Sequence, residues 1–318
     1  MAKKTYQEIT TKQTMNRVKE PRMPFDWSIN PYRGCTHGCS FCYARPTHTF
    51  LGMNADDSFQ NHILLKTNAA EVLEDQLAKL AKRYRGDLRA VGRHVGLVTI
   101  GTATDPYQPV EANAQLTRAC LQVLAKYRIL TSITTRSPLI LRDLDLLQNM
   151  RIQSINISIS TLNAEICRRL EPAAPHPAKR VGTIARLAEN GLTAGVFIAP
   201  IIPFLTDSAK DLESLIASAK EHHAQFAMPS VLRLAPDVKA WYYQIVKEHY
   251  PELIPDYIAL YRSVYPQAAY SEVLVKKVRA LLYQYGLPAD IPAPSYTEEQ
   301  DLLNTTTEYD GEQLSFSF

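Results

Sequence analysis

Asn30-Pro31-Tyr32-Arg33-Gly34-Cys35-Thr36-His37-Gly38-Cys39-Ser40-Phe41-Cys42-Tyr43-Ala44-Arg45 is the stretch on which the reading of this chain turns. Its cysteines follow a C-x3-C-x2-C spacing, and the chain has two others, Cys120 and Cys167. An odd total, with three members inside eight residues, does not make a disulfide framework. Clustered cysteines of this kind read as metal ligands. Three thiolates on one short loop can hold three irons of a [4Fe–4S] cube and leave the fourth without a protein ligand. A reactive site needs such an open position, because a closed coordination shell leaves nowhere to bind. Gly34 and Gly38 allow the tight turns that wrap a loop around a cluster. Two other readings of these residues stand beside this one: a structural zinc site of the three cysteines with His37 or His48, and three unrelated buried cysteines. Zinc knuckles usually come as two CxxC pairs, and the sequence has no second pair.

Away from this loop, residues 95–235 alternate strand-like and helix-like segments. HVGLVTIGT, RILTSITT, RIQSINISIS, LTAGVFIAPII and VLRLA read as strands. Between them lie helix candidates at about 111–127, in LRDLDLLQNM, at 178–189 with Gly191 as its cap, and from Asp207-Ser208 to about His222. A first strand near SINPYRG and a helix over about 70–84 bring the count to six β-then-α units. Repeated units of this kind imply a parallel sheet with helices outside. We therefore expect an α/β fold, a partial (β/α)6 TIM-like barrel, with a doubly wound sheet as the alternative. After Pro236, WYYQIVKEHY, LIPDYIALYRSVY and SEVLVKKVRALLYQYGL read as Tyr-rich helices. The expected division is an N-terminal extension over 1–24, a core barrel over 25–236, a helical C-terminal extension over 237–291 and a flexible acidic tail over 292–318.

Composition bounds the function. With 318 residues, 46% apolar and 21% charged, the chain has the balance of a soluble protein. No uncharged apolar stretch is long enough to span a bilayer. The basic N-terminus is followed by no apolar core of a secretory signal, so no membrane partner and a cytoplasmic location are expected. A net charge of +3 does not by itself announce nucleic-acid binding. Lys3, Lys4, Lys12, Arg17, Lys19 and Arg22 nevertheless outnumber Glu8 and Glu20 in the first 22 residues.

The cysteine loop, with Phe41 at the aromatic place of CxxxCxΦC, resembles the signature of the radical S-adenosylmethionine (SAM) superfamily. The resemblance covers roughly residues 25–235. It implies a [4Fe–4S] cluster on Cys35, Cys39 and Cys42 whose open iron chelates SAM. Reductive cleavage by an electron donor would then give a 5′-deoxyadenosyl radical. The longer string NPYRGCTHGCSFCYARPTH and the later GTATDPYQPVE (101–111) are similar to the spore photoproduct lyase-like group, in particular its uncharacterised branch. The resemblance implies that Phe41 packs on the SAM adenine, that the Tyr43 phenol lies near the radical path and that Thr104 and Asp105 stand beside SAM. It further implies that Arg136 contacts the SAM carboxylate and that Ser158 contacts its ribose or amino acid. Arg168, Arg169 and Glu171 are either SAM contacts or a surface ion cluster. Where the lyase has a hydrogen-donating cysteine, three residues before the aspartate, this chain has Thr102.

The chain ends Gln313-Leu314-Ser315-Phe316-Ser317-Phe318, which resembles the Q-L-x-Φ-x-Φ motif that binds the bacterial sliding clamp. The leading expectation is a radical SAM enzyme acting on nucleic acid, with DNA damage as the substrate class. The alternatives are a radical SAM enzyme for a small molecule, peptide or protein, and a non-catalytic iron–sulfur module.

Overall fold

The computed structural model describes residues 4–21 and 23–292 of the chain. Thr5–Ile9 (β1) and Met15–Arg17 (β2) precede Trp27–Ile29 (β3) and the short Tyr32–Arg33 (β4). Ser58–Asn61 (α1) leads into His62–Lys66 (β5), followed by Ala69–Arg83 (α2), Leu88–Val95 (α3) and Val98–Ile100 (β6). Glu111–Ala114 (α4) and Leu116–Lys126 (α5) lead to Thr131–Thr135 (β7), and Leu144–Leu147 (α6) to Ile152–Ser158 (β8). Ala164–Leu170 (α7) and Pro177–Glu189 (α8) come before Ala194–Ile201 (β9), and Ala209–Glu221 (α9) before Ala227–Val231 (β10). Pro236–His249 (α10), Ile254–Leu260 (α11) and Ala268–Gln284 (α12) follow.

The main sheet runs β10-β9-β8-β7-β6-β3-β2, and every neighbouring pair is parallel except β2 with β3. Six parallel strands in sequential order, joined by helical crossovers, make the open arc of a partial TIM barrel. The two end strands do not pair with each other, so the barrel is not closed.

Alternation along the strands separates two surfaces. Val98, Ile100, Ile133, Ile155, Ile157, Val196 and Ile198 share one face and join the core that includes Leu73, Leu121, Ile184 and Leu215 of the helices. The opposite, concave face carries Thr99, Ser132, Thr134, Ser154, Asn156 and Ser158. The isoleucine alternation in RIQSINISIS thus marks the surface turned to the helices. The inside of the arc is lined by hydroxyl and amide groups.

Other departures are local. The helix expected over 111–127 is broken at Gln115, whose φ of 51° is left-handed. LRDLDLLQNM opens on the end of a 3-10 turn that runs from Pro138 to Asp143, its start capped by the Ser137 hydroxyl accepting the Leu139 N–H, and only one turn of α6 follows. The last strand ends at Val231, where VLRLA begins, because it pairs with β9 through Ala227, Met228 and Pro229. The N-terminal segment contributes β1, which pairs with β5 beside β4 in a second, three-stranded sheet. The clamp-like Gln313–Phe318 motif lies outside the described residues.

Candidate active site

The loops after the C-terminal ends of β3, β6, β7 and β8 meet on one side of the arc. On this face of parallel barrels, side chains from separate strands can converge. After β3 the chain pairs briefly as β4 and then turns at Gly34, whose φ is +83°. A Cβ there would stand 2.8 Å from the carbonyl oxygens of both His62 and Phe59, so only glycine fits. The Cys35 N–H donates to Phe59 O at 3.1 Å and the Ser40 N–H to Leu170 O at 2.8 Å. The Ala173 N–H donates to His37 O at 3.1 Å. The cysteine loop is therefore shaped by segments from far along the chain.

Arg45 lies beneath this loop and is fully buried. Its Nε donates to Cys39 O at 3.0 Å, and its Nη2 to Gly38 O at 3.0 Å and Cys39 O at 2.8 Å. It fixes the carbonyls of Gly38 and of the second cysteine, Cys39. Above the loop, Phe41 and Cys39 belong to an apolar cluster with Leu232, Leu234, Val238 and Tyr242. Phe41 is thus held by the start of the helical extension.

The loop after β6 docks on the cysteine loop. Thr104 Oγ1 donates to Gly34 O at 2.6 Å, and Gln108 receives the Thr36 N–H at 3.1 Å. Asp105 accepts from the Tyr107 N–H at 2.9 Å, Thr135 Oγ1 at 2.7 Å and the Arg136 N–H at 2.7 Å. Its Oδ2 lies 3.1 Å from His37 Nε2. Burial alone would push this carboxyl up, but His37, Thr135 and the Arg136 N–H outweigh it and hold it down at about 2. Tyr43 is 68% exposed, and its hydroxyl donates to the carbonyl of Thr102. That residue stands where the lyase resemblance called for a cysteine.

Behind Arg136 is a buried ion cluster. Glu171 lies 2.6 Å from Arg180 Nη2 and 3.4 Å from Arg136 Nε, and Ser160 Oγ donates to it at 3.0 Å. Burial favours the neutral acid, yet Arg180 and Arg136 hold Glu171 below the ordinary carboxylate range. Arg180 also donates to Ser158 O at 3.2 Å, so the Ser158 strand end and Arg136 belong to one network. Arg169 instead pairs with Glu165 on the outer surface of α7.

The site brings together Cys35, Cys39, Cys42, Phe41, Tyr43, Thr104, Asp105 and Arg136, with Ser158 joined through Arg180. Sequence reasoning missed Arg45, Gln108, Arg180 and Asn156. Gln108 lies inside the quoted GTATDPYQPVE string and Arg45 ends the quoted cysteine stretch, positions that offered a signal; nothing local marks Arg180 or Asn156. Asn156 Oδ1 is buried on the concave face with no partner, an acceptor open to a ligand. Among the described residues no three Cys, His, Asp or Glu side chains converge tightly enough to bind a single metal ion. A cubane makes a different demand, one thiolate on each of three irons. Cys42 is close enough to act electrostatically on Cys35, and Cys35 and Cys42 on Cys39. Burial pushes the Cys35 thiol up to about 12, with Asp105 and Cys42 adding to it, and burial also pushes the Cys39 thiol well above the ordinary thiol range. Thiolates at these positions call for a strongly cationic partner, which iron supplies. His37 engages Asp105 and Ala173 O, and His48 Nε2 lies 2.8 Å from His62 O.

A second surface feature borders the cysteine loop. The face of the small sheet not covered by α4 and α5 forms a hollow of about 670 Å³. Lys12, Arg33, His62 and Lys66 line it, and among the described residues no carboxylate does. Burial, with Arg33 nearby, lowers Lys66 to about 8. Lys66 Nζ donates to Asn30 O at 2.8 Å, and Asn30 in turn holds Thr102 and Ala103.

The sequence pattern of the radical SAM superfamily matches residues 29–216. The chain belongs to the radical SAM superfamily. An uncharacterized protein of Mycobacterium tuberculosis is 33% identical over 300 residues, 92% of this chain and 85% of that protein. An uncharacterized protein of Methanocaldococcus jannaschii is 29% identical over 200 residues, covering 63% and 69% of the two chains. Spore photoproduct lyase with bound AdoMet and dinucleoside spore photoproduct matches at a TM-score of 0.62 and 16% identity, over 88% of this chain and 78% of that one. A lyase complex with dinucleoside spore photoproduct gives 0.63 and 15%, over 88% and 79%. At that identity the likeness is one of fold, the partial TIM barrel. The cofactors of the superfamily, and of this chain, are a [4Fe–4S] cluster and SAM.

Proposed function

We propose that Cys35, Cys39 and Cys42 ligate the cluster and that the chain acts as a radical SAM enzyme on nucleic acid, with damaged DNA as the first substrate class. The observation that carries this reading is the docking of the Thr104–Gln108 segment and Arg136 around the cysteine loop, at the C-terminal ends of successive strands. When bound, the two cofactors supply reductive cleavage of SAM and a 5′-deoxyadenosyl radical. The protein's part is to bind, orient and exclude competing reactions.

In this reading Arg136 presents a guanidinium, backed by Glu171, to the SAM carboxylate. Asn156 and Ser158 offer hydrogen bonds on the polar concave face. Asp105 already accepts three hydrogen bonds from the protein beside its contact with His37, so it positions His37 and the Arg136 backbone. Thr104 does the same for Gly34. Phe41 braces the loop from the side of α10, and Tyr43 is the exposed phenol nearest the Thr102 backbone. An alcohol O–H is too strong a bond to serve as a thiol does in hydrogen donation. Thr102 therefore favours a substrate or a hydrogen-return route different from the lyase's.

Nucleic acid is favoured by the basic hollow next to the loop, which no carboxylate among the described residues lines. The buried Tyr242, Tyr257 and Tyr261 belong to the core of the extension and are not available to stack bases. Among the described residues no helix is long and apolar enough to cross a membrane. We place the protein in the cytoplasm, with an external reductant as electron donor and the Gln313–Phe318 motif as a sliding-clamp ligand. A chain ending at Glu312 should lose clamp binding.

The deciding experiment is anaerobic reconstitution with iron and sulfide, then dithionite and SAM, with 5′-deoxyadenosine read by chromatography. It should form in wild type and vanish in Cys39→Ala. A wild-type protein that takes up no cluster, or whose cluster never binds SAM, would leave the non-catalytic module in its place.

A further inference from the structure

Arg45 carries a charge that the protein does not neutralise. It is fully buried, and among the described residues no carboxylate comes within ion-pair distance of its guanidinium. Its donors go to backbone and amide oxygens: Cys39 O, Gly38 O, Asp56 O at 2.5 Å and Gln60 Oε1 at 2.8 Å. The carboxylate of Asp56 is turned to Ser58, accepting its N–H and hydroxyl. Phe59 and Trp241 flank the guanidinium, with ring centroids 5.7 and 5.1 Å from its central carbon. Hydrogen bonding is thus satisfied while the charge is not. The other buried arginine, Arg180, differs in having Glu171 at 2.6 Å. A buried charge with no partner is strongly unfavourable, so its counter-charge should lie in something the folded protein holds. The ionisable groups that bear most on Arg45 are Cys42, Cys39 and Cys35, ahead of Asp56.

We propose that Arg45 is the buried counter-ion of the iron–sulfur cluster, and that its charge makes the cluster easier to reduce. The inference rests on the ligand assignment above. Three thiolates give a [4Fe–4S] centre excess negative charge, which grows by one when an electron is added. A fixed cation in a site of low dielectric therefore stabilises the reduced form more than the oxidised one. The geometry separates this role from loop positioning: the fork to Gly38 and Cys39 carbonyls shapes the loop, and the charge sets the potential.

The test uses full-length protein, wild type beside Gln60→Glu, Arg45→Gln and Arg45→Lys. Gln60→Glu is the central variant, because it places a carboxylate against Nη2 with almost no change of shape. Metal-free proteins are melted, and reconstituted ones are assayed for iron and titrated against potential by electron paramagnetic resonance without SAM. Metal-free Gln60→Glu should melt above wild type, because it supplies the missing counter-ion. Once loaded, Gln60→Glu and Arg45→Gln should show a ratio of reduced to oxidised cluster about tenfold lower at fixed potential, a midpoint lower by about 59 mV. Arg45→Lys, which keeps the charge, should stay within about twofold of wild type. A loaded Gln60→Glu with an unshifted midpoint overturns the proposal. So does a metal-free Gln60→Glu that melts at or below wild type, a result that stands even if Arg45→Gln takes up no iron. Failure of wild type itself to load iron would instead remove the ligand assignment.

Discussion

His37 Nε2 stands 3.1 Å from Asp105 Oδ2, and this contact joins the cysteine loop to the end of β7 through the remaining partners of the carboxylate. With its pKa held down at about 2, against an ordinary 3.8, Asp105 stabilises the fold fully above the ordinary value. That contribution, about 2 kcal/mol, is lost as pH falls from about 4 through 2. Asp105→Asn should lower the urea midpoint of the metal-free protein near neutral pH, and the gap to wild type should narrow on acidification to about pH 3. A gap that stays constant with pH would show that the carboxylate charge is not what matters.

Gly34 and Gly52 both have left-handed φ, +83° and +72°, but only Gly34 is hemmed in. Gly34→Ala adds two carbonyl clashes at 2.8 Å to the backbone strain, whereas a Cβ at Gly52 meets nothing within 4 Å. Gly34→Ala should cost about 3 kcal/mol or more and sharply reduce iron uptake, and Gly52→Ala about 1 kcal/mol with normal uptake. Iron per chain and denaturant midpoints for the pair check this; equal behaviour would refute it.

Arg180 and Glu171 are both buried, and Arg136 alone cannot replace the lost partner at 2.6 Å. Arg180→Leu should destabilise by about 3–5 kcal/mol, because a buried carboxylate is left with one distant cation. A double variant, Arg180→Leu with Glu171→Leu, should recover part of that loss. Urea denaturation of the three proteins measures it, and the absence of any recovery would count against a charge-based cause.

The basic hollow predicts a salt-dependent interaction with a phosphate backbone. Arg33→Ala and Lys66→Ala should each weaken binding of single-stranded DNA and reduce the slope of log affinity against log salt by about 1. Fluorescence anisotropy across a salt series reads both quantities. Unaltered slopes would move the nucleic-acid surface elsewhere on the protein.

Local pattern made much of this architecture readable. The alternating isoleucines of β8, the β-then-α spacing and the cysteine loop are short-range signals, and they led to the partial barrel. Period two marks two faces of a strand without saying which one curves inward, so the polar lining of the arc was not legible. The strand Thr5–Ile9 is nearly all exposed, so no apolar alternation announces it, and its pairing with β5 is long-range. Arg45 and Arg180 were hidden for a related reason. An arginine is ordinarily a surface residue, and what buries Arg45 comes from residues 38–39, 56–60 and 241 together.

The contact between α10 and the cysteine loop has a consequence for any shortened form of this protein. Val238 and Tyr242 cover Phe41 and Cys39, and Trp241 covers Arg45. A chain cut at Pro236 would keep every proposed ligand but open the loop to water and oxygen from that side. The helices after the barrel are in this sense a wall of the metal chamber, and removing them would trade a protected centre for one that corrodes.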